Sequence, residues 1–193
     1  MQARMNGNAL FLLETRRLIL RDLLESDWPL VYALSREPLV TRYQTWFRLD
    51  GKPEVQRWLG ALLSQTNRRQ PRVSFNLAIV LKENESAIGW LGFGEPEDPT
   101  KGDMGFGYAL VPSVWGNGYM TEAVEAMLDF AFESLNKESV YATCAESNRA
   151  SARVLEKAGL VLVERWQESD DDFGIVEEHL CYRQERSEWA RRR

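Results

Sequence analysis

A short turn with two glycines is the part of this sequence that best fits a chemical task. Gly116 and Gly118 lie between an apolar segment that stops at Pro112 and an amphipathic segment that begins near Gly118. A helix that begins there leaves several backbone N–H groups free and carries a partial positive charge at its N-terminus. Glycines let the backbone approach an anion closely. The turn therefore predicts a phosphate or pyrophosphate site, although the same pattern also fits an ordinary turn before a helix.

Two other phosphate-binding motifs fit this segment poorly. A P-loop ends in Gly-Lys-Ser/Thr, and the sequence has no such run. A dinucleotide-binding fingerprint has a third glycine and an acidic residue at the end of the next strand, which here ends at Cys144. A nucleotide-binding protein of another fold is thus a weak alternative.

Apolar periodicity predicts the elements that must position the turn. Strands are predicted at residues 15–21, 75–81, 87–93, 105–111, 140–144, 160–166 and 175–182. Helices are predicted after Asp27, from Pro53, from Gly118 to about Leu135, and from Ser147 or Asn148 to Gly159. An acidic loop at residues 168–172 joins the last two strands. The order β-α-α-β-β-β-α-β-α-β-β predicts a mixed α/β (α+β) sheet.

Composition limits the possible function. The 193 residues fit a single domain at 1–193, with residues 14–190 as its folded core. A net charge of −5 argues against binding to nucleic acid, which needs a basic surface. Two separated cysteines and one histidine predict neither a disulfide framework nor a metal site. No apolar run reaches membrane-spanning length, so a cytoplasmic protein without a membrane partner is expected.

Several segments together resemble the GNAT acetyltransferases, and among them the RimJ/RimL-like branch. That branch has Gly-Tyr-x-Leu-x-Pro followed by Trp-Gly-Lys-Gly-Tyr-Ala-Thr-Glu-Ala. The residues that agree are Gly107, Tyr108, Leu110, Pro112, Trp115, Gly116, Gly118, Tyr119, Thr121, Glu122 and Ala123. Asn117 replaces the common lysine, and Met120 replaces a small residue. Residues 15–21, 148–160 and 182–189 resemble further family segments, so the likeness covers nearly the whole chain.

The resemblance implies a GNAT-like fold, a mostly antiparallel seven-stranded sheet with a V-shaped splay and flanking helices. It implies acetyl-CoA as the cosubstrate, no metal, and direct transfer to a primary amine without an acyl-enzyme. The backbone of Leu110 and Val111 would pair with the pantetheine arm, and Asn148 and Ser151 would also contact the cosubstrate. The residues expected to hold the pyrophosphate are Trp115, Gly116, Asn117, Gly118, Tyr119, Met120 and Thr121.

The implied catalytic residues are Ser151, Asn148 and Asp103. Ser151 would donate a proton to the leaving sulfur, although it also fits an ordinary helix hydroxyl, and Asn148 also fits a plain helix cap. Related sequences often carry a glutamate base where this chain has Gly105. Asp103 lies on the same side of the predicted strand, and Glu95 and Glu146 are other candidate bases. Each carboxylate also fits a solvated surface position, and a water chain could take the proton instead.

The expected acceptor is the α-amine of a protein or peptide N-terminus. A small-molecule amine, such as a polyamine or an aminoglycoside, is the alternative, and a non-catalytic CoA-binding module is a further one. The acidic residues 168–172, with Glu177 and Glu178, either steer a cationic acceptor or form a solvated loop. Residues Trp46, Phe47 and Trp58 either line the acceptor pocket or fill the core. A monomer or a homodimer is expected.

Overall fold

The computed structural model describes residues 4–5, 11–66, 72–95, 100, 102–170 and 175–192. Nine strands are formed by Arg4–Met5 (β1), Phe11–Glu14 (β2), Leu18–Asp22 (β3), Ser74–Leu81 (β4), Ala87–Gly94 (β5), Met104–Leu110 (β6), Ser139–Ala145 (β7), Val161–Asp170 (β8) and Ile175–Glu185 (β9). Six helices are formed by Trp28–Arg36 (α1), Pro38–Thr41 (α2), Gly51–Gln65 (α3), Tyr119–Asp129 (α4), Arg149–Ala158 (α5) and Arg186–Arg191 (α6). A π-helical turn, Phe130–Ser134, continues α4.

All nine strands belong to one sheet, in the order β1-β2-β3-β4-β5-β6-β7-β9-β8. The predicted mixed α/β fold is confirmed, and the seven predicted strands correspond to β3–β9. The N-terminal strands β1 and β2 extend the sheet beyond β3, so it has nine strands rather than seven. They are too short, at two and four residues, to show a strand periodicity.

Two predicted boundaries are wrong. The first predicted strand, residues 15–21, begins too early, because Thr15 turns the chain into β3 with its N–H donated to the Leu18 carbonyl at 2.9 Å. Residues 168–170 of the predicted acidic loop belong to β8, because the β8–β9 pairing continues to Asp170 and Ile175. The rest of that predicted loop lies outside the described residues, as do residues 96–99 and 101 of the turn before β6.

The sheet splits between β6 and β7, the only parallel pair among the described strands. These two strands pair only at Met104 with Val140 and at Gly105 with Tyr141. Beyond Gly105, β6 is paired with β5 alone, and the Val111 N–H bonds to the Ile88 carbonyl on that side. Because successive residues of a strand point their backbone groups in opposite directions, the N–H and C=O groups of residues 106, 108 and 110 face the split. The expected V-shaped splay is therefore present.

Helices cover both faces of the sheet, which explains why β4 is buried on both faces from Phe75 to Leu81. Phe75, Leu77 and Ile79 pack on the core beneath α4 and α5. Ala78 and Val80 point the other way, into a second core with residues of α1 and α3. The splay therefore lies between the α4–α5 layer on one face of the sheet and the α1–α3 layer on the other. No helix in the described part of the chain is long and apolar enough to cross a membrane.

Candidate active site

The two-glycine turn has the backbone geometry that its sequence predicts. Gly116 and Gly118 have φ angles of +80° and +75°, the left-handed region that glycine adopts without steric cost. The Glu122 N–H donates to the Gly118 carbonyl, so the N–H groups of Tyr119, Met120 and Thr121 precede the first intrahelical bond. Gly118 also provides no side chain to cap α4. The start of α4 thus offers backbone donors and the positive end of a helix dipole to an anion.

An arginine from the other end of the sequence clamps this turn. The Arg17 guanidinium donates to the Asn117 carbonyl at 3.0 Å and to Glu122 Oε2 at 2.6 Å, and it lies 4.5 Å from the centre of the Tyr119 ring. Glu122 Oε1 accepts from the Thr15 hydroxyl at 2.6 Å and from the Arg17 N–H at 2.8 Å. The turn is therefore fixed in place by the segment that leads into β3.

The Glu122 carboxylate is charged within this clamp. Burial alone would raise the pKa of Glu122, but the hydrogen bonds from Thr15 and Arg17 lower it below its usual value. The carboxylate is 19% exposed, and the pair is partly shielded from water. Ionised Glu122 therefore holds Arg17 at the turn, and the arginine completes a basic edge beside the start of α4.

An open groove of about 520 Å³ lies beside the turn. Its lining residues are Arg16, Arg17, Gly118, Thr121, Glu122, Glu125 and Lys157. The three cations come from the turn before β3 and from the last part of α5. A groove with basic side chains next to free helix N–H groups fits the phosphates of a nucleotide-linked cosubstrate.

The two departures from the family motif leave the backbone of the turn accessible. The Met120 side chain is 5% exposed and points into the core, away from the anion site. Asn117 folds back, and its amide donates to the Val114 carbonyl at 3.0 Å. Trp115 is 42% exposed, and its indole N–H donates to the Leu110 carbonyl at 2.8 Å. The indole is therefore hydrogen-bonded to one of the β6 carbonyl groups that face the splay.

Ser151 lies in a partly buried polar cluster next to the splay. Its hydroxyl is 2.8 Å from the Tyr108 hydroxyl, and it also hydrogen-bonds the Cys144 thiol. Burial raises the pKa of Tyr108 above its usual value, which the bond to Ser151 only partly offsets. Burial likewise raises the pKa of Cys144. Both groups therefore keep their protons at neutral pH, and the cluster can supply a proton to an anion beside Ser151.

Asn148 acts as the cap of α5 in this structure. Its side-chain oxygen accepts from the Ser151 N–H at 3.1 Å. Gly159 ends the same helix with a φ of +100°, as its sequence position predicts. The cap fixes the first turn of α5, and through it the position of the Ser151 hydroxyl at the splay.

Each of the three candidate bases contacts another group of the protein. Asp103 precedes β6, about 16 Å along the strand from Tyr108, and its carboxylate accepts the Glu138 N–H at 2.7 Å. Glu95 is half exposed and lies 3.9 Å from the Lys137 ammonium. Glu146 is bridged to Arg165 at 3.1 Å, which occupies its carboxylate.

The site of the usual family glutamate is filled by a tyrosine ring. A Cβ placed on Gly105 would lie 2.8 Å from Cε1 of Tyr141, too close for any real side chain. Tyr141 is the partner of Gly105 in the last pair before β6 and β7 separate. A larger residue at position 105 would therefore force the Tyr141 ring to shift, because that ring occupies the space at the apex of the splay.

The sequence patterns missed the loop that spans the splay from the α1–α3 side. The Gln44 amide N–H donates to the Tyr108 carbonyl at 3.0 Å, and the Tyr43 hydroxyl donates to the Ser147 carbonyl at 3.2 Å. The Ser147 hydroxyl in turn bonds the carboxylate of Glu177. A polar loop of this kind has no periodicity, so only its contacts identify it.

The aromatic residues near this loop divide between two roles. Phe47 is fully buried and stacks on Trp90, so it belongs to the core. Trp58 packs against the same core, edge-on to Phe47. Trp46 is 59% exposed, which leaves an indole available at the surface beside the loop. Of the three aromatic residues considered for an acceptor pocket, Trp46 alone is largely exposed.

Comparison with known proteins identifies the family. A family model described as the acetyltransferase (GNAT) domain matches residues 17–161. The chain belongs to the GNAT acetyltransferase family. This GNAT chain is thus an acyltransferase of a family that uses acetyl-CoA. Within the part of the chain that the structure describes, no group of three or more His, Cys, Asp or Glu residues is placed to hold a metal ion.

Curated relatives and solved structures agree with this assignment. The GNAT chain is 26% identical over 148 residues to an uncharacterized N-acetyltransferase of Bacillus subtilis, YoaA, covering 77% of this chain and 81% of that protein. Its fold is similar to that of RimL, a ribosomal alpha-N-protein acetyltransferase in complex with coenzyme A (TM-score 0.76, 19% identity, 90% of this chain and 97% of that one). It is also similar to that of a spermidine N-acetyltransferase from Vibrio cholerae with CoA and spermine (TM-score 0.75, 18% identity, 91% and 99%). The chain is an N-acetyltransferase, and these two similar structures act on different kinds of amine, a protein α-amine and a polyamine.

Proposed function

We propose that this GNAT chain transfers the acetyl group of acetyl-CoA directly to a primary amine, in the manner of the RimJ/RimL-like branch. The α-amine of a protein or peptide N-terminus is the leading acceptor. The observation that carries the proposal is the splay between β6 and β7, which places an unpaired strand edge beside both the α4 turn and the Tyr108–Ser151 pair. A small-molecule amine is the second candidate. Among the described residues the Glu177 carboxylate bonds a hydroxyl rather than a cation, so its negative charge can attract such an amine.

The residues present fit acetyl-CoA along one path. The backbone donors of the α4 turn and the basic groove suit the phosphates. The edge of β6 at residues 106–110 suits the pantetheine arm, since an extended chain can pair with an unpaired strand edge. Two carbonyls on that edge already accept hydrogen bonds, one from the Trp115 indole and one from the Gln44 amide. We therefore assign the backbone N–H groups of the same edge to pairing with the pantetheine arm.

In the proposed transfer, the amine nitrogen forms a bond to the thioester carbonyl carbon and the C–S bond breaks. The leaving thiolate takes a proton from the Ser151 hydroxyl, Ser151 regains one from Tyr108 through their hydrogen bond, and Tyr108 is reprotonated from the water that received the proton of the amine. The amine releases one proton to water, because Asp103, Glu95 and Glu146 are held elsewhere. No covalent enzyme intermediate is needed, and the atoms balance as one amide and one thiol.

A thiol-release assay tests this function. The protein is mixed with acetyl-CoA and, in turn, with peptides that have free N-termini, spermidine and an aminoglycoside. Turnover with at least one amine is expected, with the highest kcat/KM on a peptide. Acetyl-CoA binding by calorimetry without thiol release on any amine would favour the non-catalytic module and overturn the proposal.

Two variants test the proton donors. Ser151→Ala and Tyr108→Phe should each lower kcat by about 10²-fold, within the range for general acid catalysis, while the Kd for acetyl-CoA changes less than threefold. Ser64→Ala is the matched control, because Ser64 is an exposed serine on α3 whose hydroxyl bonds its own helix. An unchanged kcat in both site variants would remove the pair from the mechanism.

A further inference from the structure

We infer that Gln44 is the residue that hydrogen-bonds the incoming acceptor amine and orients it toward the thioester. This inference rests on the proposed amine acetylation and assigns a specific role on its acceptor side. Gln44 lies in the loop between α2 and α3, a region without any recognised motif. Its side chain is the link between that loop and the edge of β6.

The amide of Gln44 is held in a defined orientation. Nε2 donates to the Tyr108 carbonyl at 3.0 Å, and exchanging the two ends of the amide would place two acceptor oxygens against each other. The Tyr108 carbonyl belongs to the unpaired edge of β6 that faces the splay. The side chain of the same residue packs on the α4–α5 side of the sheet and carries the hydroxyl that meets Ser151. Gln44 and the proton donor of the leaving sulfur therefore approach the splay from opposite sides.

The other end of the amide lacks a partner. Gln44 Oε1 is buried and makes no hydrogen bond to any described residue. From amide bond lengths it lies about 2.3 Å from Nε2, and so within about 5 Å of the Tyr108 carbonyl oxygen. A buried carbonyl oxygen without a donor is costly, and protein structures rarely keep one without a reason. An N–H donor that reached this oxygen within the splay would supply the hydrogen bond that the described residues do not provide.

Two features favour the acceptor amine as that donor over the cosubstrate. The phosphate turn and the proton donors lie on the α4–α5 face, whereas the Gln44 loop comes from the α1–α3 face. In direct transfer the amine approaches the carbonyl carbon from one face of the thioester plane, whereas the sulfur lies in that plane. Beside Gln44, the Tyr43 hydroxyl reaches Ser147, and the Ser147 hydroxyl reaches the Glu177 carboxylate, which attracts an ammonium group.

The experiment compares Gln44→Met, Gln44→Glu and the wild-type chain on the best amine of the panel, at saturating acetyl-CoA. Gln44→Met keeps the side-chain length but loses both polar ends, and we expect its acceptor KM to rise about tenfold. The Kd of acetyl-CoA by calorimetry should stay within twofold. Gln44→Glu keeps an acceptor oxygen, so its acceptor KM should lie closer to the wild-type value. Gln56→Met, at an exposed position of α3, is the matched control.

Each other outcome contradicts the inference in a different way. An unchanged acceptor KM in Gln44→Met would overturn the role of Gln44 and leave the proposed function standing. Weaker acetyl-CoA binding with an unchanged acceptor KM would mean that Gln44 contacts the cosubstrate instead. A KM in Gln44→Glu as high as in Gln44→Met would show that the bond to Tyr108, rather than the free oxygen, matters. A wild-type chain without turnover on any amine would overturn both proposals together.

Discussion

The clamp between Glu122 and Arg17 can be tested with one isosteric change, Glu122→Gln. Three hydrogen bonds converge on this carboxylate, at 2.6, 2.8 and 2.6 Å. Glutamine can still accept from Thr15 and from the Arg17 N–H, but as a neutral group, and its NH₂ end cannot accept from the guanidinium. Hydrogen bonds to charged groups contribute roughly 1.5–3 kcal/mol each and neutral ones roughly 0.5–1.5 kcal/mol. Because Arg17 is partly exposed and screened by water, we expect a net loss of about 2 kcal/mol.

The assay for Glu122→Gln is thermal and urea unfolding at several pH values. For a chain of this length, about 2 kcal/mol corresponds to a fall in Tm of roughly 4–8 °C at pH 7. The folded-state pKa of Glu122 lies below its unfolded value, so the stabilisation is fully present above about pH 4.3 and is lost as the pH falls through the folded pKa. The stability gap between wild type and variant should thus stay constant from pH 7 to 5 and narrow below pH 4.

Clear results would refute this reasoning. Glu133→Gln changes an exposed carboxylate on the same helical segment and should alter stability by less than about 0.5 kcal/mol. If Glu122→Gln behaves like this control at pH 7, the clamp does not stabilise the fold. If the gap is as wide at pH 3.5 as at pH 7, the ionised carboxylate is not its source. The variant should also bind acetyl-CoA about tenfold more weakly, because the turn is no longer fixed.

Three further predictions concern the turn, the splay and the buried thiol. Gly118→Val should abolish acetyl-CoA binding measured by calorimetry, because a branched side chain at a φ of +75° distorts the turn; wild-type affinity would mean that the anion binds elsewhere. Gly105→Ala should lower the free energy of unfolding by about 1–3 kcal/mol, because the added methyl group meets Tyr141. Gly107→Ala is the control and should lower it by less than about 1 kcal/mol, because the space around its Cβ position is open. Equal losses of both variants in urea unfolding would contradict the Tyr141 contact. Cys144 should react with iodoacetamide far more slowly at pH 7.5 in the native chain than in the denatured chain, because burial raises the pKa of its thiol. Equal alkylation rates by mass spectrometry would show that the thiol is accessible to the reagent in the native chain.

The sequence predicted those parts of the fold that depend on local patterns. Apolar runs between turn residues located β4 to β9, and the glycines located the turn before α4 and the end of α5. Each of these features is defined by a few neighbouring residues, so it can be recognised in a single sequence. The role of Asn148 as a helix cap was one of two possibilities, and the hydrogen bond to the Ser151 N–H shows that the cap is formed.

The parts that sequence reasoning missed depend on contacts between distant residues. Arg17 and Glu122 are 105 positions apart, so no spacing rule joins them. Gly105 was noted as a missing glutamate, and only the pairing of β6 with β7 shows that Tyr141 fills its space. Glu146 stays a candidate base, and only the structure shows that β8 brings Arg165 against its carboxylate. Charge pairs across a sheet are decided by register, which local composition does not specify.

The clamp at Arg17 links the anion site to the β2–β3 hairpin. The turn of the β2–β3 hairpin carries the arginine that fixes the start of α4, through its guanidinium at the Asn117 carbonyl and its backbone N–H at Glu122. If the hairpin unfolds locally, the turn loses its support and its affinity for phosphate. By thermodynamic linkage, a phosphate-bearing ligand bound at α4 must stabilise the hairpin by the same free energy. Slower hydrogen exchange in β2 and β3 would then report occupancy of a site that those strands do not line.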